Sequence, residues 1–341
     1  MALMSSRTQT RTCNYKVFAF WRQPRARGLV YQALLVFGLL FIGGYLLSNT
    51  FDNLAARNIS TGFDFLGQEA GFAISESVLA YSPADTYARV LVAGLLNTLK
   101  VSLVGVVLAT ILGFAVGLAR LSRNGLLAGL ARAHVELMRN VPLLLQLFFW
   151  YALITEVAPS PRQASEWLPG VFMSNRGLVL PVFDFANMAW SMPTLKGFNF
   201  TGGVTISPEF LALGLGLVLY TSAFVAEIVR SGIQSVQHGQ WLAGRAIGLS
   251  DRQVMRFVVL PQALRVMIPP ITSQYLNLTK NSSLAVAVGY PDIVSVANTM
   301  INQTGQALEG VAIIMAAYLT VSLIIAVIMN ACNRRIFRGT R

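Results

Sequence analysis

Cysteine and histidine are scarce in this chain of 341 residues, which contains two of each. Cys13 and Cys332 lack metal-ligand spacing, and both fall in segments that we assign below to the cytoplasmic side, where thiols stay reduced. The motifs H-E-x-x-H, G-x-S-x-G and G-x-x-x-x-G-K-S/T are missing, so a zinc protease, a serine hydrolase and a P-loop ATPase are excluded. We therefore predict no catalytic residue, no metal and no cofactor held by this chain.

Charged residues, and acids above all, are also few. Only 12% of the residues are charged, with 14 acids against 26 bases, while 55% are apolar and the mean hydropathy is +0.59. This composition excludes an ordinary soluble domain and indicates a lipid bilayer. The net charge of +12 does not indicate a nucleic-acid partner, because the bases lie in short segments between apolar runs, as the positive-inside rule requires.

Apolar runs predict an all-α polytopic membrane protein with about six transmembrane helices. The third run holds Pro142, which predicts a kinked helix that enters from the cytoplasmic side. The six predicted spans are Leu29–Leu47, Arg89–Leu118, Leu126–Ile154, Pro208–Ile228, Ile268–Val288 and Ala307–Ala331.

The segments between the spans fix the expected topology. Residues 1–28 are basic without any acid, and the tail at 336–341 is basic too, so both termini are predicted in the cytoplasm. The loop at 49–88 is acid-rich and is predicted outside. Residues 155–206 read as an external insertion with short helices or turns, and 289–304 as an external turn. The extra first span, residues 29–48, therefore precedes a core of residues 89–335.

A polar stretch at 232–265 separates the fourth and fifth spans and predicts two short helices. The first covers Gln240–Ile247 and ends at Gly248, where a left-handed cap is needed. The sequence Ser-Asp-Arg-Gln that begins at Ser250 is a capping box, and the second helix is expected to stop at Pro261. We call residues 238–261 the elbow.

Several side chains in or near the spans are candidates for function. Glu136 with Arg139, and Glu227 with Arg230, are three residues apart and predict ion pairs at the inner side, which would act in transport or simply hold the elbow.

Lys280, with Asn277 and Asn281, would meet a substrate carboxylate, or the lysine would snorkel or pair inside the bundle. The glycines at 105, 113 and 117 predict close helix packing.

Motifs along residues 89–335 resemble the permease subunits of ABC importers, in their polar amino-acid branch and its general L-amino-acid group of Q-type subunits. The elbow carries a form of the E-A-A…G…I/V-L-P signature, although Leu242 stands where the family has glutamate. The matching stretches are Asn97–Ser102, Glu136–Leu144, Tyr220–Ile233, Leu242–Gly244, Gly248, Val258, Leu260–Arg265 and Pro269–Pro270.

The resemblance implies a type I importer permease fold in the inner membrane, with a cytoplasmic coupling helix that docks on the ATPase. It also implies the partners: a second, related permease subunit in a heterodimer, an ATP-binding cassette ATPase dimer that binds the ATP, and a periplasmic amino-acid-binding protein. Alternating access would then carry L-amino acids inward. The coupling residues it implies are Gly239, Gln240, Leu242, Ala243, Gly244, Ala246, Gly248 and Leu249.

Two other classes fit the sequence less well. A secondary transporter or channel also carries polar residues in its spans, but the expected internal repeat is not found. A membrane-embedded enzyme needs clustered nucleophiles, bases or metal ligands, and His134 and His238 alone do not supply them.

Overall fold

The computed structural model describes residues 24–56, 62–184, 188–197 and 199–338. It divides into two compact units, residues 1–61 and 62–341. Three predicted features therefore lie partly outside the described residues, namely the basic segment 1–28, the loop 49–88 and the tail 336–341. Each unit is described by itself.

The first unit contains helix α1, Pro24–Ala56, of which Arg27–Asn53 is apolar and long enough to span a membrane. This helix confirms the first predicted span but extends well into the predicted loop. Polar side chains in this extension bond to the preceding turn: the Thr50 hydroxyl donates to the Leu46 carbonyl at 2.7 Å, and the Asn53 amide to the Asn49 carbonyl at 2.7 Å.

The second unit holds the remaining helices. Side-chain caps begin several of them; Thr86, Ser207 and Asp292, for example, each accept a hydrogen bond from a backbone N–H three residues later. The helices are α2 Tyr87–Ala119, α3 Gly125–Asn140, α4 Leu143–Ala152, α5 Pro208–Gln234, α6 His238–Ala246, α7 Asp251–Val254, α8 Leu260–Asn281, α9 Ile293–Thr304 and α10 Ala307–Arg338.

The third predicted span is broken rather than kinked. Helices α3 and α4 meet at an angle of 104°, so the described residues contain five helices that can each span a membrane, or six if this pair counts as one span. The break is stable because the buried Gln146 amide donates to the freed carbonyls of Met138 at 2.9 Å and Val141 at 3.0 Å. The predicted change of direction near Pro142 is therefore present, but it is a break between two helices and not a kink within one.

The predicted helix end at Pro261 is also wrong. Helix α7 continues through a π-turn, Met255–Val259, into α8 and then a 3₁₀ turn, Ser282–Val288. In the π-turn, the Leu260 N–H bonds to the Met255 carbonyl, five residues back. This shift in the hydrogen-bond pattern leaves room for Pro261, which has no N–H to donate.

The insertion at 155–206 is mainly β-structure, and the prediction of short helices or turns is wrong for most of it. Aromatic and β-branched residues between glycines and prolines favour strands, and the Phe172 and Phe200 rings stack at 4.9 Å. The strands are β1 Ser165–Leu168, β2 Val171–Ser174, β3 Gly177–Leu180, β4 Val182–Asp184, β5 Ala189–Ser191, β6 Thr194–Lys196, β7 Asn199–Thr201 and β8 Val204–Ile206. They form one antiparallel sheet, β1-β2-β3-β8, and two hairpins, β4-β5 and β6-β7.

Helix α9 occupies the region predicted as an external turn, which is a further correction. Helix α9 and the segment 62–86 both pack against α2. One buried cluster contains Phe65 of the segment, Tyr87 of α2, and Ile293 and Met300 of α9. We call the end of the bundle near this segment and the β-insertion the insertion end, and the opposite end the elbow end.

Helices α2 and α5 make the most extensive helix contact of the second unit. Small residues allow it, as predicted: Gly113 faces Val225 and Gly117 faces Val229, while Gly105 faces Leu278 of α8. The buried side chains of α5 continue into the elbow core. The two ends of the bundle are therefore connected through one packed helix.

Candidate functional site

The elbow turn is a Schellman motif. The Gly248 N–H bonds to the Arg245 carbonyl at 2.9 Å and the Leu249 N–H to the Gly244 carbonyl at 3.2 Å, with Gly248 at a φ of +85°. Only open space surrounds a Cβ added at Gly248, so the requirement for glycine is conformational. The predicted left-handed cap is confirmed.

The capping box that begins the second elbow helix is also confirmed, with reciprocal bonds between Ser250 and Gln253. Two contacts set the angle of the elbow. The Arg245 guanidinium bonds to the Asp251 carboxylate at 2.8 Å, and a Cβ on Gly244 would lie 2.9 Å from Val254. The elbow is thus a packed unit that joins α5 to α8.

The eight predicted coupling residues do not all lie on the elbow surface. Leu242 is 52% exposed, and Ile247 beside it is 77% exposed. Gly244 is buried against Val254, and Leu249 packs on the elbow core, so these two stabilise the elbow itself. The exposed members are Gly239, Gln240, Leu242, Ala243, Ala246 and Gly248. These six are small or apolar apart from the Gln240 amide, and the exposed Arg245, which pairs with Asp251, lies between Ala243 and Ala246.

One of the two predicted ion pairs is present, within a triad at the elbow end. Glu227 pairs with Arg230 on the same helix and with Arg120 at the end of α2. Arg120 is the least exposed member, with 13% of its side chain accessible. The triad therefore connects the two most tightly packed helices, and Arg120 was missed because 107 residues separate it from Glu227.

The other predicted ion pair is wrong. Glu136 and Arg139 are exposed on α3 and do not pair in the described structure. The Arg139 guanidinium instead lies 5.1 Å from the centre of the Phe224 ring, where the aromatic face offers it a contact.

The predicted substrate-path residues lie at the end of α8. Asn277 and Lys280 are exposed and Asn281 is half-buried, so the first two share one accessible face. Their role in transport stays a prediction.

A polar cluster at the insertion end was not predicted. Glu76, in the segment 62–86, pairs with Lys100 of α2 and accepts a hydrogen bond from the Ser207 hydroxyl at 2.6 Å. The buried Asn97 amide donates to the backbone carbonyls of Glu76 at 2.8 Å and Pro291 at 2.9 Å. The sequence offered one signal, the stretch FDFLGQEAGFAISES that contains Glu76, whose mixture of acidic and aromatic residues is unusual for a linker.

The fold and the elbow together define a multi-pass helical membrane subunit with a docking elbow between two long helices. The family model for the inner membrane component of binding-protein-dependent transport systems matches residues 105–338. The chain belongs to this family.

Two relatives extend the match beyond the core. The chain is 44% identical to YhdX of Escherichia coli K12, assigned as an amino-acid ABC transporter permease, over 92% of this chain and 95% of the relative. It is 40% identical to the general L-amino acid transport system permease AapQ of Rhizobium johnstonii, over 92% of each chain. The resemblance read from the motifs is confirmed.

A solved structure is similar as well. An amino-acid ABC transporter crystallised with histidines has a chain that is 26% identical, with a TM-score of 0.53, over 73% of this chain and 95% of that one. The type I importer permease fold and the location in the inner membrane as a multi-pass protein follow from the family and this similarity.

Proposed function

We propose that this chain is one membrane half of an importer for L-amino acids, driven by a separate ATPase dimer. The observation that carries the proposal is the elbow: an exposed helix with apolar and small side chains, packed through its core residues on the long helix α5. Both of the relatives described above are named as amino-acid permeases, which supports the substrate class.

The elbow suits docking to another protein. Its exposed Leu242 and Ile247 are apolar, while Ala243 and Ala246 let a partner backbone approach closely. A force applied there would reach α2 through α5 and the triad of Arg120, Glu227 and Arg230. This supports a coupling role in which closure of the ATPase dimer rocks the spans between two orientations.

The proposed topology places the elbow end in the cytoplasm, with the ATPase, and the insertion end in the periplasm. Both termini are cytoplasmic in this arrangement. The periplasmic binding protein docks at the insertion end, and a second, related permease completes the membrane dimer.

Reconstitution tests the proposal. Proteoliposomes that contain this permease, its partner permease and the ATPase should take up labelled L-amino acids only with ATP and the binding protein. Uptake that persists without the ATPase subunit would contradict the proposed mechanism.

Site-directed cross-linking tests the docking surface. A cysteine at the exposed Ala246 should cross-link to the ATPase, whereas a cysteine at Gly129, an open position on α3, serves as the control. Equal cross-linking at both positions, or none at Ala246, would overturn the assignment of the elbow.

A further inference from the structure

The cluster around Glu76 has the chemistry of a carboxylate receptor. One carboxylate oxygen meets the Lys100 ammonium, and the other accepts the Ser207 hydroxyl at 2.6 Å. The ammonium also lies 4.5 Å from the centre of the Phe210 ring. Charge-assisted contacts of this kind are about twice as strong as neutral hydrogen bonds.

Two further features favour a negative charge at this place. Ser207 is the N-cap of α5, and a helix N-terminus attracts anions. Tyr290 is fully buried, its ring lies 5.8 Å from that of Phe210, and its hydroxyl oxygen has no hydrogen-bond partner among the described residues. Burial, and then the charges of Glu76 and Asp292, raise the pKa of Tyr290, so its hydroxyl keeps the proton that it can donate.

The Glu76 carboxylate, which occupies this carboxylate-binding cluster, belongs to a segment without regular structure. From residue 71 to residue 85 the backbone forms neither helix nor strand. Its polar contacts with α2 include the Lys100 pair and the bonds of Asn97, which hold the Glu76 carbonyl at 2.8 Å and the Val78 N–H at 3.1 Å. The Arg89 guanidinium also donates to the Ala80 carbonyl at 2.8 Å and 3.1 Å. These contacts can be exchanged without unfolding a helix.

Lys100 itself stays within reach of a ligand. Its side chain is 38% exposed, although it pairs with Glu76, which is 20% exposed. If Glu76 withdrew, the Lys100 ammonium and the Ser207 hydroxyl, the two groups that now hold its carboxylate, would remain. That set of donors suits any carboxylate of similar size.

We propose that Lys100 and Ser207 bind the carboxylate of a transported amino acid at the insertion end, and that Glu76 occupies this site as an internal competitor until substrate arrives. This inference rests on the proposed function, because it deepens the assignment of L-amino acids as cargo. It names a site for the carboxylate group that is shared by every L-amino acid and so fits a permease of broad specificity.

Equilibrium binding of a labelled L-amino-acid mixture to the assembled complex, without binding protein, tests the competition. Glu76→Gln should tighten binding by about tenfold, since the competing charge is gone, and Lys100→Gln should weaken it by about tenfold or more. Lys100→Arg should retain binding, which separates loss of charge from misfolding. A simple structural latch would instead make Glu76→Gln and Lys100→Gln shift affinity in the same direction.

Matched controls come from the same region. Glu69→Gln changes an exposed acid of the same segment, and Lys196→Gln an exposed lysine of β6. Neither should change affinity. Methyl esters of the amino acids keep the ammonium and side chain but lose the carboxylate charge, so they should compete poorly.

Three outcomes would overturn the proposal: shifts of the two variants in one direction, full competition by the esters, or no measurable binding in any variant. ATP-dependent uptake by the wild-type complex is measured in parallel. If the wild type transports while one of these outcomes occurs, only the carboxylate site fails. If the wild type does not transport, the proposed function fails.

Discussion

The packing between α2 and α5 makes a quantitative prediction for Gly113→Ala. A Cβ at this position would lie 2.6 Å from both Cβ and Cγ1 of Val225 and 3.0 Å from the Ser222 carbonyl oxygen. Carbon atoms pack at about 3.5–4.0 Å, so the helices must separate by roughly 1 Å. The Val225 Cβ is fixed by its backbone and cannot rotate away.

The energetic terms have opposite signs. Overpacking of a core costs about 1–3 kcal/mol, while replacing a helical glycine by alanine gains about 1 kcal/mol. Gly113→Ala should therefore destabilise the permease by up to about 2 kcal/mol. Gly129→Ala, where a Cβ meets only open space, should stabilise it by up to about 1 kcal/mol.

Thermal unfolding of the purified permease in detergent measures this difference. The two alanine variants should differ in Tm by roughly 5 °C, with Gly113→Ala the lower. Val225→Gly removes both carbons that meet the new Cβ, so Val225→Gly and Gly113→Ala should cost less together than the sum of their separate effects. If both glycine variants shift Tm by the same amount and in the same direction, the close approach of α2 and α5 is refuted.

Four other changes have defined outcomes. Gly248→Val forces a β-branched residue into the left-handed region at a cost of about 1–2 kcal/mol and should abolish ATP-driven uptake, whereas Gly248→Asn, which tolerates that region, should retain most of it. Leu242→Glu should be tolerated, since this position is exposed; loss of complex assembly on size-exclusion chromatography would contradict this. Arg120→Gln should lower the free energy of unfolding by about 2 kcal/mol, and Arg230→Gln by less, because Arg120 is the more buried partner of the Glu227 carboxylate. Equal Tm shifts in the two variants would refute this order. Burial raises the pKa of Asp292 to about 6, so the folded state binds this proton more tightly than the unfolded state. The free energy of unfolding should therefore fall by about 1–3 kcal/mol as pH rises from about 4 to above 6. Asp292→Asn should show a smaller change in Tm over the same pH range.

The sequence by itself determined the features that depend on neighbouring residues. The Schellman turn at Gly248 and the capping box at Ser250 were predicted because their bonds join residues at most five positions apart. Long apolar runs fixed the spans, since a helix that crosses the bilayer needs about 20 apolar residues. The family motifs also identified the class of protein, because each motif consists of residues that are close together in the sequence.

Only the tertiary structure decided the features that depend on distant partners. The 104° break at Pro142 is stabilised by Gln146, and the β-insertion by pairing between strands as far apart as β3 and β8. Arg120 reaches Glu227 across 107 residues, and Ser207 reaches Glu76 across 131. Local periodicity carries no information on such contacts, because they arise when separate helices pack together. The carboxylate site proposed for Lys100 could therefore be found only in the folded molecule.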